Sequence, residues 1–182
     1  MRGLYIGRFQ PFHYGHLRAL EWILSRVDEV IIGVGSAQFS HTWENPFTAG
    51  ERVEMIWRTL RSRKLLERCI ISIIPDTNGM HSLWVSMVRL FTPKFDVVFT
   101  NDRLSRRLFE EKGYRVEGIP FYKRELYSAT RIRKLMLEGS VWKEYVPKEV
   151  VDVIEEIKGV ERLRHLFINQ ASGSSRSTSK TK

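Results

Sequence analysis

Short apolar runs alternate with longer amphipathic ones along this chain. Gly3 to Gly7 is a run of the first kind and predicts a strand. From Gly15 to Val27 the residues Leu17, Leu20, Ile23, Leu24 and Val27 recur every three or four positions, which predicts a helix with one buried face. Val30-Ile31-Ile32-Gly33-Val34-Gly35 is a continuous apolar run, the pattern of a strand covered on both faces of a parallel sheet. A polar loop follows, and Thr48 then reads as the N-cap of a helix from Ala49 to about Arg63, with Glu51 completing a capping box. Ile70 to Ile74 predicts a third strand, ended by Pro75, and His81 to Phe91 a helix. Asp96 to Thr100 predicts a fourth strand, Arg103 to Lys112 a helix closed by Gly113, and Tyr114 to Ile119 a short fifth strand. The remainder predicts helices only: Thr130 to Leu137 closed by Gly139, one entered near Pro147 and running to Ile157, and a last stretch beyond the break at Gly159.

Strand-helix alternation of this kind predicts an α/β fold built on a doubly wound parallel sheet, here with a helical C-terminal part. Ligands of such sheets bind beyond the carboxyl ends of the strands, where strand order reverses. The expected domain spans 1–168. Residues 169–182, rich in Ser, Thr, Gly and Lys, have too little apolar surface to offset ordering entropy and are expected to form a disordered basic tail.

Composition narrows the function classes. No apolar run approaches the roughly 18 residues of a membrane span, and the start reads as a strand rather than a signal peptide. Cys69 is the only cysteine, which excludes an internal disulfide and a cysteine metal cluster. A cytoplasmic protein is expected. The formal net charge of +9, part of it on Arg176, Lys180 and Lys182 of the tail, favours polyanions: nucleic acid or phosphorylated small molecules.

The segment Gly7-Arg8-Phe9-Gln10-Pro11-Phe12-His13-Tyr14-Gly15-His16 chooses between them. It ends the first strand and enters the first helix. Pro11 stops the strand, and Gly7 and Gly15 permit close approach to the backbone. His13 and His16, three apart, share one face of the helical turn whose unpaired N–H groups already favour an anion. Arg8 adds a third donor. The result is a phosphate site where this fold would put one. A second anion site opens a late helix, Tyr127-Ser128-Ala129-Thr130-Arg131-Ile132-Arg133, with hydroxyls at the cap and Arg133 one turn in. Other glycine motifs fail: Gln38 stands where a dinucleotide fingerprint starting at Gly33 needs its third glycine, and no Gly-Lys-Ser/Thr occurs.

The first segment resembles the HxGH signature of the nucleotidyltransferase superfamily, and the longer string is similar to the archaeal type of nicotinamide-nucleotide adenylyltransferase, to about residue 168. Ser128, Thr130 and Arg133 match the second superfamily signature, Ser-Ser/Gly-Thr-x-x-Arg, with Ala129 a small departure. Ser36-Ala37-Gln38, Asn45 to Arg52, and Pro75-Asp76 followed by Trp84 extend the similarity. Asp102-Arg103 departs from it, since relatives often have Pro there.

The resemblance implies a Rossmann-like nucleotidyltransferase fold. It implies transfer of the ATP adenylyl group to nicotinamide mononucleotide (NMN), giving NAD and pyrophosphate by in-line attack of the acceptor phosphate. It implies catalytic roles for His13 and His16 on the ATP phosphates, and for Arg8 and Arg133 on the β- and γ-oxygens. It implies ligand contacts by Gly7, Gln10, Phe12, Ser36, Gln38, Phe47, Asp76, Asn101, Ser128 and Thr130, with Trp84 stacking on the pyridinium. Arg52 is left open between the ligand side and pairing with acids on its own helix. Mg²⁺ is expected on the ATP phosphates with no protein ligand, and a homo-oligomer, by resemblance a hexamer, is expected. The alternative acceptors are pantetheine phosphate and flavin mononucleotide. A nucleic-acid-binding protein, suggested by Arg58-Arg61-Arg63 and Arg103-Arg106-Arg107, is the reading from another class. A non-catalytic nucleotide sensor is disfavoured by the intact histidine pair and Arg133.

Overall fold

The computed structural model describes residues 1–123 and 125–173. Five strands, β1 (Arg2–Gly7), β2 (Glu29–Val34), β3 (Cys69–Ile73), β4 (Val97–Phe99) and β5 (Arg115–Glu117), form one sheet in the order β3-β2-β1-β4-β5. Every pairing is parallel. From β1 the chain steps outward through β2 to β3, then returns to the other side of β1 for β4 and β5. Strand order therefore reverses between β1 and β4.

The helices are α1 (Tyr14–Leu24), α2 (Ala49–Ser62), α3 (Trp84–Phe91), α4 (Arg103–Glu111), α5 (Ala129–Glu138), α6 (Lys148–Glu156) and α7 (Gly159–Gly173). The alternation of side chains along each strand sorts the core into two layers. Tyr5, Ile32, Val34, Val97 and Phe99 pack with buried residues of α1, α2, α5 and α6. Leu4, Ile31 and Val98 face the other way, against Val85 and Val88 of α3 and Phe109 of α4. The doubly wound sheet expected from the alternation is the one observed. Thr48 and Glu51 form the expected capping box of α2.

The differences are at element ends. β4 and β5 are shorter than expected, and α3 starts at Trp84 after a 3-10 turn at His81–Leu83. The final helix continues to Gly173, across the boundary expected at 168; the rest of the expected tail lies outside the described residues. Among the described residues no helix is long and apolar enough to cross a membrane.

Candidate active site

The carboxyl ends of β1 and β4 open onto two cavities, one on each side of the switch point. The first, of about 320 Å³, is lined by His13, Gly15 and His16 from the α1 entry, by Asn101 after β4, and by Tyr122 and Tyr127 from the segment before α5. The second, of about 390 Å³, is lined by Gly7, Arg8, Gly35, Ser36, Asp76 and Trp84. Ile6 and Asp102 line both, so the cavities adjoin at the end of the first strand.

His13 is the N-cap of α1, and the two histidines cap each other. The His16 backbone N–H donates to His13 Nδ1, and the His13 backbone N–H donates to His16 Nδ1, each at 3.3 Å. This is a capping box made of two imidazoles. An Nδ1 that accepts carries no proton, so the proton of each neutral ring sits on Nε2. The rings stack with centroids 3.6 Å apart and planes 17° from parallel, an arrangement two imidazolium ions would resist. Burial pushes His13 down to about 3. Burial and the adjacent His13 hold His16 well below the usual histidine range. Phe12 stacks on His16 and Phe9 meets it edge-on, which fixes the ring. The pair thus offers two neutral Nε2–H donors to an anion, and the positive charge of the site comes from guanidinium groups.

Arg133 is 4% exposed. Its Nη1 donates to the Gln10 carbonyl at 2.8 Å and its Nη2 lies 3.4 Å from Thr130 Oγ1, while Nε is buried without a partner. Arg8 lines the second cavity and lies close enough to Arg133 to lower its basicity, after burial, the larger cause. Ser128 is the N-cap of α5, but its hydroxyl makes no cap bond and stays available. Thr130 is exposed.

Several expected ligand residues spend their side chains on the protein. Phe12 and Phe47 have no exposed surface and belong to the core. Gln10 exchanges both amide bonds with the Phe47 backbone, each 3.0 Å. Gln38 does the same with the backbone of Asp76, at 2.9 and 2.8 Å. Asn101 bridges to Ile119 through both side-chain atoms, at 2.7 and 2.9 Å, and ties the end of β4 to the chain leaving β5. These residues shape the site through the loops they hold. Ser36 donates to Asp76 at 3.2 Å, and both line the second cavity. Trp84 stands there too, partly buried against the α3 core, with its Nε1 unpartnered.

Three further positions take on definite contacts. Gly15 leaves room for protein: a Cβ there would lie 2.8 Å from Tyr127 Cβ and 3.0 Å from the His13 ring. Arg52 neither faces a ligand nor pairs with an acid of its own helix, because it is wholly buried on backbone carbonyls. Its neighbour Glu51 instead takes both Nη atoms of Arg162 on α7, each at 2.7 Å. Asp102, the departure from the family pattern, caps α4 by accepting from the Ser105 N–H at 2.7 Å. Sequence reasoning missed Tyr122, and it placed Tyr127 in the second segment without a role, since a loop without periodicity gives no sign that it will return to the first helix.

Comparison with known proteins agrees with this geometry. The family model described as cytidylyltransferase-like matches residues 4–135. The chain is 51% identical to the nicotinamide-nucleotide adenylyltransferase of Pyrococcus horikoshii, covering 94% of this chain and 92% of that protein. It is 52% identical to the enzyme of the same name from Methanothrix thermoacetophila, covering 91% and 95%. Among solved structures, the bifunctional NMN adenylyltransferase/ADP ribose pyrophosphatase of Francisella tularensis, complexed with AMP and a manganese ion, superposes with a TM-score of 0.75. At 22% identity that likeness concerns the fold; it covers 100% of this chain and 57% of the larger bifunctional one.

Proposed function

The chain belongs to the nicotinamide-nucleotide adenylyltransferases of the cytidylyltransferase-like family, and from that premise we propose that it joins ATP and NMN to give NAD and pyrophosphate. The observation that carries this reading is the pair of neutral, mutually capped histidines on a cavity that adjoins a second, Trp84-containing cavity at the strand-order reversal. ATP occupies the first cavity. NMN occupies the second, where the Trp84 face suits a cationic pyridinium ring.

The acceptor phosphate is already anionic near neutral pH, so attack needs no strong general base. One of its oxygens bonds to the α-phosphorus of ATP, the bond from that phosphorus to the β-bridging oxygen breaks, and pyrophosphate leaves with the electron pair. Catalysis rests on positioning and on charge stabilisation. The Nε2–H groups of His13 and His16 donate to phosphate oxygens, His16 at the α-phosphate. Arg133, together with Arg8 reaching across from the adjoining second cavity, holds the leaving pyrophosphate oxygens, a task suited to guanidinium forks. The unpartnered Nε of Arg133 leaves it a donor to spare.

Among the described residues no group of three or more His, Cys, Asp or Glu side chains could hold a metal ion. The donors around the cavities suit a Mg²⁺ carried by the triphosphate rather than by the protein. When bound it neutralises phosphate charge while keeping most of its water shell.

The nucleic-acid reading weakens at three of the six arginines that suggested it. Arg58 pairs with Glu54 and Glu156, Arg106 with Glu110, and Arg107 with Glu111. By family resemblance the molecule assembles as a homo-oligomer, a hexamer, and the exposed apolar residues Met80, Leu83, Leu90 and Phe91 give such an assembly surface to cover. The test of function is incubation with ATP and Mg²⁺ against NMN, pantetheine phosphate and flavin mononucleotide, with pyrophosphate and the nucleotide product measured. NMN should be the preferred acceptor; preference for another, or no pyrophosphate with any, would refute the reading.

A further inference from the structure

Arg52 sits where helix periodicity calls for an apolar residue. The buried stripe of α2 is Arg52, Met55, Ile56, Thr59 and Leu60, and Arg52 is 0% exposed. A buried guanidinium is costly unless its donors are matched. Here no carboxylate among the described residues bonds to it. Its Nη1 donates to the carbonyls of Arg8 at 2.8 Å and Gly35 at 2.7 Å, its Nη2 to that of Ser36 at 3.3 Å, and its Nε to that of Thr48 at 3.2 Å. One side chain therefore joins the end of β1, the end of β2 and the cap of α2.

Those carbonyls lie at two left-handed residues. Phe9 has φ 51° and Ser36 has φ 49°, both unfavourable for residues with a side chain. The Arg8 carbonyl belongs to the peptide that leads into Phe9. The Gly35 and Ser36 carbonyls belong to the peptides on either side of the Ser36 α-carbon. Backbone of this kind persists only where its surroundings over-determine it, and such residues gather at functional sites. Arg8, Gly35 and Ser36 all line the second cavity, and none of them lines the first.

We propose that Arg52 is a positioning residue for the transfer reaction, holding the left-handed ends of β1 and β2 in the shape that receives the acceptor nucleotide. The proposal rests on the assignment of the second cavity to NMN. A lysine keeps the charge but lacks the fork, and a methionine keeps much of the volume but has no donor. Both replacements release carbonyls on the acceptor side, and the mutual cap of His13 and His16 uses none of those carbonyls.

The experiment compares wild type, Arg52→Lys and Arg52→Met for the KM of each substrate, for calorimetric binding of NMN and of ATP, and for melting temperature. Wild-type turnover tests the reaction itself, whereas the variant-to-wild-type ratios test Arg52; the binding measurements read Arg52 even without turnover. The KM and Kd for NMN should rise about tenfold or more, and those for ATP by a clearly smaller factor, since Arg8 is the one ATP contact that adjoins a released carbonyl. In Arg52→Ala, added ethylguanidinium should restore NMN use and ethylammonium should not, a readout that simple loss of packing would not give. Equal losses for both substrates in step with the melting temperature would overturn the proposal, as would wild-type behaviour. Failure of both Arg52→Lys and Arg52→Met to fold would make Arg52 a folding residue and overturn it too.

Discussion

His13 and His16 each do two jobs with two ring nitrogens. Nδ1 satisfies a helix N-terminal N–H, and Nε2–H is left for the substrate. Asparagine can replace the first function and not the second. His16→Asn should therefore fold normally and lose turnover by roughly 10²- to 10³-fold, the scale of one lost stabilising donor; near-normal kcat would remove His16 from the chemistry. The same geometry sets a pH dependence of stability. Both rings are held neutral in the fold, His13 down to about 3, against an ordinary value of 6.5. A depressed folded value gives stability that is fully present above 6.5 and is lost as pH falls toward the folded value. Below 6.5 the unfolded chain binds protons that the folded pair does not, so stability falls as the pH falls. Melting temperature should drop from pH 7 to pH 5, and the double variant His13→Asn/His16→Asn should show a shallower drop. An equal slope in the double variant would mean that other groups set the acid sensitivity.

At the scale of elements, the site is a meeting of helix starts. Gly15 of α1 lies against Tyr127, just ahead of α5, with no space for a methyl group. Gly15→Ala should push the two starts apart, destabilise by about 1–3 kcal/mol, and lower turnover beyond what the melting curve explains; an unchanged melting temperature would show that the contact yields freely. On the proposed assignment, Trp84 at the start of α3 faces the other substrate. Trp84→Ala should raise the KM for NMN much more than that for ATP. Equal changes tracking lost stability would instead mark Trp84 as a core residue, as its packing against the α3 cluster allows.

For the molecule as a whole, part of the surface positive charge is neutralised locally. Arg58, Arg106 and Arg107 are paired on the surface, while Arg8 lines the second cavity and Arg133 is buried on the Gln10 carbonyl, neither with a bonded acid among the described residues. Duplex DNA should consequently bind poorly at physiological salt, measured by fluorescence anisotropy, while ATP binds. Tight DNA binding with the salt slope of many phosphate contacts would reverse that conclusion.

The strand-helix alternation determined the doubly wound sheet, and the Gly7 to His16 segment marked the turn whose histidines line a cavity at the sheet edge, because both signals are local: side-chain periodicity and a strand-to-helix turn are written in neighbouring residues. Thr48 and Glu51 were legible for the same reason. The partners of Gln10, Gln38 and Asn101 were not, since each bonds to backbone made adjacent only by folding. Arg52 is the clearest case. A cation on an apolar stripe looks like a surface or ligand residue until three carbonyls from the ends of β1 and β2 join that of Thr48 around it. The tertiary structure also decided that the histidines are neutral, because burial and the stacking of one ring on the other, rather than residue type, set their protonation.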